Sequence, residues 1–350
     1  MDISVREEIL RLRHTFTISR GSEDATPVAI AEIGHAGIRG LGEASPSGYY
    51  GETVDTVRSA LSELSGWLSS RDPTAYEHLL EEAGEMLGPR RAALAALDLA
   101  VHDWVGKRFG LPLYRLLGLD PARLPLSTFT IGIDTPETMV EKLREVADYP
   151  LIKIKVGMPG DVEVVRRLRR ETRAVFRVDA NGAWKPEEAI EKSRELAALG
   201  VEFIEQPLAR EALEAMEEVR AKSALPVIAD ENAVRPEDVP GLAGRFDGIN
   251  VKLVKCGGIR PALRMIHLAR TFGLRIMIGC MIESSVSISA GAQIGALVDY
   301  LDLDGAALVT NDPFEGARFD RGRIVLSGAP GLGVAPRGEA DHRQRSPTLS

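Results

Sequence analysis

Amide side chains, cysteines and long apolar runs are scarce in this sequence. Its 350 residues include only four asparagines, three glutamines and two cysteines. The shortage of amides is typical of a heat-adapted or a GC-rich source. The two cysteines, Cys256 and Cys280, favour a reduced protein without disulfides and therefore a cytoplasmic location. Because no apolar run reaches the roughly 18 residues of a membrane helix and the N-terminus lacks a signal-peptide core, we expect no membrane partner.

Positive charge is also in short supply. Lysines and arginines number 43 against 51 acidic residues, which gives a net charge of -8. Nucleic-acid-binding proteins present basic surfaces, so this balance argues against a nucleic-acid partner. The hydrophobic share of 44% is ordinary for a globular enzyme.

Two patterns of secondary structure divide the chain. The first part predicts strands at 28–33 and 38–43, followed by helices at about 52–70, 73–87 and 89–109. From about residue 125 the sequence alternates strand, loop and helix, and eight such units predict a parallel (β/α) barrel. The candidate strands are 125–131, 151–156, 175–179, 201–205, 226–230, 247–253, 274–279 and 299–302. An open doubly wound sheet is the alternative, but the sequence lacks the Gly-rich phosphate loop that usually accompanies it.

Charged side chains close five consecutive barrel strands. Lys155 ends the second candidate strand, Asp179, Glu205 and Asp230 end the next three, and Lys252 ends the sixth. The carboxyl ends of barrel strands share one face, so we expect the acids to converge. Three carboxylates suit one Mg²⁺ with open positions for a substrate carboxylate. Strands two and six are opposed in a ring of eight, which predicts the two lysines on either side of the metal.

This arrangement predicts removal of a proton from a carbon next to a carboxylate. A metal would stabilise the charge of the resulting enediolate, and one lysine would take the proton while the other returns one to the opposite face. Lys153 lies two residues before Lys155 on the same strand face. Its like charge and the metal should lower the pKa of Lys155, and Lys153 itself would hold the substrate carboxylate. The expected reaction is a racemisation or an epimerisation without a redox cofactor.

The sequence around these residues resembles the enolase superfamily, in its muconate-lactonizing-enzyme subgroup. The matching segments cover nearly the whole chain and are Lys153-Ile154-Lys155-Val156-Gly157, Asp179-Ala180-Asn181-Gly182-Ala183-Trp184, Ile204-Glu205-Gln206-Pro207, Ala229-Asp230-Glu231 and Asn250 to Gly258. The resemblance implies an α/β fold, a modified (β/α)7β TIM barrel with an N-terminal α+β capping domain. It also implies one Mg²⁺ per subunit at Asp179, Glu205 and Asp230, with Lys155 and Lys252 as the acid/base pair. Lys255 matches a further lysine, either structural or an outer cation of the site, and Asn232 stands where the family usually has Ser.

The implied domains are a capping domain over 1–118, the barrel over 119–310, a C-terminal segment over 311–336 that returns to the capping domain, and a disordered tail over 337–350. Relatives of this kind often form homo-oligomers, which the sequence alone does not demonstrate.

Asp302 and Asp304 narrow the function within the subgroup. They resemble the Asp-x-Asp of dipeptide epimerases, which binds the free α-ammonium of a dipeptide, and two carboxylates suit a cation. A helix cap or an exposed turn is the alternative for this pair. The resemblance further implies substrate contacts for Thr130, Cys280 and Ile282, whose alternative is plain packing. The other enzymatic candidates are an N-acylamino acid racemase and an o-succinylbenzoate synthase, and a non-catalytic binding protein on the same scaffold is a third.

Two loops of the capping domain carry the side-chain specificity. Arg20 aligns with an arginine that relatives acting on alanyl-glutamate use, and a guanidinium pairs well with a carboxylate. The neighbouring Glu23 and Asp24 would oppose this by neutralising Arg20 or attracting a cation. Tyr49 and Tyr50 in the second loop offer an apolar pocket instead. The resemblance therefore favours an L-Ala-D/L-Glu or a related L-Ala-D/L-Xaa dipeptide as the small-molecule substrate.

Overall fold

The computed structural model describes residues 1–338. The N-terminal part is a three-stranded antiparallel sheet in the order β1-β2-β3, with helices packed on it. Its elements are β1 Asp2–Ile18, β2 Gly21–His35, β3 Ile38–Ala44, α1 Val54–Leu68, α2 Tyr76–Leu87, α3 Arg91–Phe109 and α4 Leu113–Leu116. Glycine lets α3 lie directly on β3, because a Cβ atom at Gly42 would stand only 2.0 Å from the carbonyl oxygen of Ala96.

The sequence analysis missed the long edge strand β1. Of its 17 residues, only Leu10 is fully buried, and most of the others are partly or fully exposed. Apolar residues alternate in short stretches, such as Ile3 with Val5 and Leu10 with Leu12, but charged residues interrupt the pattern, and pairing with β2 fixes the position of the strand. The turn between β1 and β2 extends this hairpin over the barrel, where Thr17 accepts a hydrogen bond from the Ile133 amide.

Eight parallel strands form the second part, paired in chain order from β4 to β11. They are β4 Phe129–Ile131, β5 Leu151–Lys155, β6 Val175–Asp179, β7 Val201–Glu205, β8 Val227–Ala229, β9 Gly248–Lys252, β10 Arg275–Gly279 and β11 Tyr300–Asp302. A bridge between Ser127 and Leu301 closes the ring. The (β/α)7β barrel with a capping domain is therefore confirmed, and the open doubly wound sheet is excluded.

Helices follow the first seven barrel strands and form the outer layer. They are α5 Pro136–Glu145, α6 Asp161–Arg169, α7 Pro186–Ala198, α8 Met216–Lys222, α9 Val239–Leu242, α10 Leu253–Cys256, α11 Ile259–Thr271 and α12 Ser285–Ile294, and the four-residue α13 Gly305–Leu308 follows the eighth strand. No helix within residues 1–338 is both long and apolar enough to cross a bilayer.

Alternation along the barrel strands separates the core from the site. On β5, Ile152 and Ile154 belong to the large apolar cluster under the helices, whereas Lys153 and Lys155 belong to the opposite face. A small apolar cluster fills the lower barrel interior, made of Phe203, Ile228, Met277 and Tyr300. Charged residues at the strand ends therefore lie above a packed floor.

The C-terminal segment returns to the capping domain. Its strands are β12 Phe314–Glu315, β13 Arg318–Asp320, β14 Arg323–Val325 and β15 Ala335–Pro336. The Thr310 amide donates to the carbonyl of Arg11, and the Leu332 amide donates to Asp103 of α3. The proposed boundaries at 118, 310 and 336 stay a prediction, and most of the predicted tail, residues 339–350, lies outside the described residues.

Two buried carboxylates of the capping domain cap barrel helices. Glu43 accepts hydrogen bonds from the Ser284 amide at 2.8 Å and the Ser287 amide at 3.0 Å, at the start of α12. Asp98 accepts from the Ile259 amide at 2.6 Å, at the start of α11. Carboxylates at helix N-termini satisfy free amides and complement the helix dipole. These contacts fix the capping domain relative to the barrel.

We expect Glu283→Gln to stabilise the protein at alkaline pH. Burial and the charge of Glu43 raise the pKa of Glu283 to about 8, above its ordinary value of 4.5. The folded state then binds a proton that the unfolded state has lost, so the stability from Glu283 is present below pH 4.5 and falls as the pH rises to about 8. The variant should be more stable than wild type by about 2 to 4 kcal/mol at pH 8.5 and similar at pH 5.

Chemical denaturation at both pH values measures this difference. Glu237→Gln is the matched control, because the Glu237 side chain is 70% exposed. Parallel stability profiles for Glu283→Gln and wild type would contradict the prediction.

Candidate active site

Three carboxylates meet at the carboxyl ends of neighbouring barrel strands. Asp179 ends β6, Glu205 ends β7 and Asp230 directly follows β8. One oxygen from each lies within 4.8 Å of the others, and all three residues are buried. The parallel register produces this meeting, since Asp179 pairs directly with Glu205 across β6 and β7. The structure thus brings together the three residues that the sequence analysis selected.

The donor set and its charges fit a divalent cation. Burial and the negative charge of Asp179 raise the pKa of Glu205 to about 7. Among residues 1–338, no group donates a hydrogen bond to Glu205 Oε2, although Lys153 Nζ lies 2.7 Å away as an ion-pair partner. Buried carboxylates this close repel one another unless positive charge lies between them. Hard oxygen donors in this number suit Mg²⁺.

Lys155 and Lys252 contact different members of the triad. Lys155 Nζ lies 2.6 Å from Asp179 Oδ2, and Lys252 Nζ lies 3.0 Å from Asp230 Oδ2. Burial disfavours the charged form of Lys252, but Asp230 and Glu205 together with Tyr50 raise its pKa. The lysines end β5 and β9, which are four strands apart in the ring. Each therefore reaches the acids from its own side of the barrel.

Lys153 connects opposite sides of the barrel mouth. Its Nζ lies 2.7 Å from both Asp302 Oδ2 and Glu205 Oε2, and 3.1 Å from Asp179 Oδ2. Burial opposes the charge, but these carboxylates, Asp302 first, raise the pKa of Lys153 well above its ordinary value. Lys153 is therefore a fixed cation beside the triad.

Three further side chains hold the triad in place, and the sequence analysis singled out only Lys255 among them. Asn250 Nδ2 donates to Glu205 Oε1 at 2.7 Å, and Gln206 Oε1 accepts from the Asp230 amide at 3.0 Å. Lys255 Nζ donates to the Asp230 carbonyl at 2.6 Å and pairs with its carboxylate. These contacts fit the structural or outer-cation role expected for Lys255.

Amide scarcity was a usable signal for the missed positions. Four of the chain's seven amide side chains are Asn181, Gln206, Asn232 and Asn250, all within the strand-end segments. The departure at Asn232 is accommodated, because its Oδ1 accepts a hydrogen bond from Gln206 Nε2 at 2.7 Å.

One cavity of about 510 Å³ gathers the predicted substrate residues above the triad. The predicted residues that line it are Arg20, Thr130, Lys153, Lys155, Asp230, Lys252, Cys280, Ile282, Asp302 and Asp304. A larger groove of about 1750 Å³ lies between the capping sheet and the C-terminal segment and contains none of the predicted residues. Chemistry rather than volume therefore identifies the smaller cavity as the site.

Asp302 and Asp304 face the cavity in different electrostatic states. Asp302 accepts a hydrogen bond from Thr128 Oγ1 and forms an ion pair with Lys153. Burial disfavours the charged form of Asp302, but Lys153 lowers the pKa of this carboxylate below its ordinary value. Asp304 accepts from the Thr130 amide at 2.6 Å, and burial and the charge of Asp302 raise its pKa to about 7. A cation bound between them would relieve this repulsion.

The β1–β2 turn brings Arg20 to the rim of the cavity. Arg20 Nη1 donates to the Asn181 carbonyl at 2.7 Å and lies 2.8 Å from Glu231 Oε1. Its guanidinium also stacks 4.6 Å from the ring centre of Tyr49. Burial disfavours the charge of Arg20, but its hydrogen-bonded partner Glu231, together with Asp230 and Asp179, raises its pKa.

The sequence analysis missed this partner of Arg20 and proposed Glu23 and Asp24 instead. In the structure, Glu23 Oε2 accepts from Thr26 and Asp24 Oδ1 accepts from Thr15, within the hairpin itself. Glu231 adjoins Asp230 in sequence, and only the tertiary structure brings it to Arg20.

Known proteins match the chain over both of its parts. Residues 1–118 match the mandelate racemase / muconate lactonizing enzyme N-terminal domain, and residues 138–340 match the enolase C-terminal domain-like family. An L-Ala-D/L-amino acid epimerase from a Maribacter species is 43% identical, over 95% of this chain and 99% of the relative. An L-Ala-D/L-Glu epimerase from Bacteroides thetaiotaomicron is 42% identical, over 93% of this chain and 85% of the relative.

A solved structure agrees with these relatives. The dipeptide epimerase from Enterococcus faecalis, in complex with Mg and the dipeptide L-Leu-L-Tyr, superposes with a TM-score of 0.89 at 32% identity. The match covers 95% of this chain and 99% of that one. The chain therefore belongs to the mandelate racemase and muconate lactonizing enzyme family of the enolase superfamily, alongside relatives that are dipeptide epimerases.

Proposed function

We propose that the protein is a Mg²⁺-dependent dipeptide epimerase that inverts the α-carbon of the C-terminal residue. The observation that carries this proposal is the pair of lysines, Lys155 and Lys252, contacting a buried carboxylate triad from opposed strands of one cavity. The relatives named above support the same reaction class. Asp179, Glu205 and Asp230 would hold the ion, which supplies positive charge to stabilise the enediolate when bound.

The two lysines would act as an alternating acid and base. One amine starts neutral and accepts the proton as the Cα–H bond breaks. The other starts as an ammonium and donates its proton to the opposite face, which inverts the carbon. After one turnover the two protonation states are exchanged, so the reverse reaction starts from the other side. Lys153 would hold the substrate carboxylate as a permanent cation.

Asp302 and Asp304 would bind the α-ammonium of the dipeptide. Both line the cavity, and burial together with the charge of Asp302 raises the pKa of Asp304. An incoming ammonium satisfies both carboxylates, whereas an acyl group offers them no charge. Thr130, Cys280 and Ile282 line the same wall and would contact the peptide unit.

Replacing Asp302 with Asn separates this proposal from the enzymatic alternatives. The variant should lose at least about 100-fold in kcat/KM for L-Ala-L-Glu, since it removes a charge partner of the ammonium. For N-succinyl and N-acetyl amino acids, kcat/KM should fall much less than for L-Ala-L-Glu. A protein that acts on N-acyl substrates and hardly changes in the variant would instead be an N-acylamino acid racemase or an o-succinylbenzoate synthase. The Asp302→Asn change also removes a partner of Lys153, which affects both substrate classes equally. The informative quantity is therefore the ratio of kcat/KM for dipeptides to kcat/KM for N-acyl amino acids.

Hydrogen exchange at the α-carbon in D2O, followed by NMR over a dipeptide panel, tests the proposal as a whole. Exchange with inversion supports an epimerase. No exchange with any dipeptide or N-acyl amino acid would favour a binding protein on the same scaffold. Arg20 lies at the rim of the cavity, where its guanidinium would meet the C-terminal side chain, so L-Ala-D/L-Glu and related L-Ala-D/L-Xaa dipeptides are the proposed substrates.

We further propose a cytoplasmic location and a small-molecule dipeptide as the partner. The two cysteines, Cys256 and Cys280, are both free thiols, which fits a reducing compartment. A homo-oligomer stays a prediction, and light scattering of the purified protein measures it.

A further inference from the structure

We propose that Glu231 determines the charge specificity of the site. It would act as the fixed counter-ion of Arg20, so that the subsite for the C-terminal side chain is close to neutral. The protein would then accept uncharged C-terminal side chains about as well as glutamate. This inference rests on the proposed dipeptide epimerase function and specifies its substrate class.

The pairing of Glu231 with Arg20 is built into the fold. Glu231 is 2% exposed, and its Oε1 lies 2.8 Å from Arg20 Nη1. Arg20 is further held by the Asn181 carbonyl and by the Tyr49 ring, so its guanidinium has a defined place. A substrate glutamate must therefore share this cation with a carboxylate that is already bound to it.

The second oxygen of Glu231 has no donor in the described chain, which leaves Arg20 as the ion-pair partner of this carboxylate. Its Oε2 is buried and accepts no hydrogen bond from any group in the described part of the chain. Asn181 Oδ1 beside it is likewise buried and unpartnered within residues 1–338. Both residues line the cavity, together with Arg20. A wall whose arginine is already paired with a carboxylate attracts a second carboxylate less than a free arginine would, so neutral side chains such as an amide compete with glutamate.

Strand order places this wall at the C-terminal residue of the substrate. Asp302 ends β11, whereas Asn181 follows β6 and Glu231 follows β8. In the ring of eight, β11 is opposite β7, which lies between β6 and β8. A dipeptide with its ammonium at Asp302 and its carboxylate at the triad spans about 7 Å in extended form. Its C-terminal side chain therefore points to the Arg20 side of the mouth.

Glutamate and glutamine dipeptides measure this charge effect directly. L-Ala-L-Glu and L-Ala-L-Gln have nearly the same shape, so the ratio of their kcat/KM values measures the effect of the side-chain charge. Any effect of a variant on metal binding changes both values alike and cancels in the ratio. We expect a ratio within about tenfold of one for wild type. Glu231→Gln should raise the ratio at least about tenfold, because Arg20 is then uncompensated.

Arg20→Gln supplies an independent variant at the exposed hairpin turn. It leaves Glu231 without its counter-ion, so kcat/KM for L-Ala-L-Lys relative to L-Ala-L-Gln should rise at least about tenfold. The double variant should return the Glu to Gln ratio to within about threefold of wild type, as in a double-mutant cycle. Glu211→Gln is the matched control, since Glu211 is exposed beside the same loop and its charge is screened by solvent. That control should change the ratio less than about twofold.

The outcomes separate the inference from the function on which it rests. If dipeptides exchange their α-proton but Glu231→Gln leaves the ratio within about twofold of wild type, the inference is wrong and the epimerase function stands. An Arg20→Gln variant without any gain for L-Ala-L-Lys also overturns the inference. If no dipeptide exchanges in wild type, the proposed function fails and the inference fails with it.

Discussion

Lys155→Ala and Lys252→Ala are each expected to abolish epimerisation. Each variant should still exchange the α-proton for solvent deuterium, but with one of the two isomers only. Each variant removes one of the two proposed acid/base groups, and such groups contribute about 100-fold to 10,000-fold in rate. The remaining lysine still reaches one face of the substrate. Each variant should therefore exchange deuterium into only one isomer, and the two variants should act on opposite isomers.

NMR of each separate isomer in D2O measures this one-sided exchange. Lys222→Ala is the control, since the Lys222 side chain is 57% exposed on α8 and pairs only with Glu218 in the described chain. Exchange into both isomers by either single variant would mean that one group serves both faces. Full epimerase activity in both variants would eliminate the two-lysine mechanism.

Glu205→Gln is expected to remove most of the increase in unfolding free energy that Mg²⁺ gives the wild-type protein. The change removes one charge from three crowded carboxylates, so the unfolding free energy without metal should not fall by more than about 1 kcal/mol. Wild type should gain about 2.7 kcal/mol at a Mg²⁺ concentration of 100 times Kd, whereas the variant should gain less than about 0.5 kcal/mol at that concentration. Its epimerase activity should drop more than about 100-fold.

Thermal unfolding with and without Mg²⁺ gives a readout that is independent of activity. Glu217→Gln on the exposed face of α8 is a matched control and should keep the full shift. An equal magnesium-dependent rise in Tm for wild type and Glu205→Gln would show that Glu205 does not hold the ion.

The barrel was predictable because its strands carry strong local patterns. All eight candidate strands overlap the observed ones, from Phe129–Ile131 to Tyr300–Asp302. Buried parallel strands consist of apolar residues flanked by turns, and helical connections separate them at a regular spacing, so the repeat is visible without any tertiary information. In the edge strand Asp2–Ile18, many residues are exposed and charged residues interrupt the short stretches of apolar alternation, so the local signal is weak.

The acidic centre was predictable for a related reason. In a parallel barrel, the position of a residue at a strand's carboxyl end fixes its place in space, so Asp179, Glu205 and Asp230 could be assigned to one point from sequence. Asn250 lies two residues before Lys252 on the same strand face, but an amide carries no charge pattern and was passed over. Its hydrogen bond to Glu205 became visible only with the fold.

The sequence by itself determined the barrel, the converging carboxylates and the opposed lysines, because each follows from alternation and strand order within one continuous repeat. Tertiary structure alone decided which carboxylate faces Arg20, since the hairpin turn and Glu231 are about 210 residues apart in sequence and no local pattern links them. It also decided that Glu43 and Asp98 cap barrel helices from the capping domain. Local patterns specify elements, whereas contacts between domains depend on how the packed elements are placed.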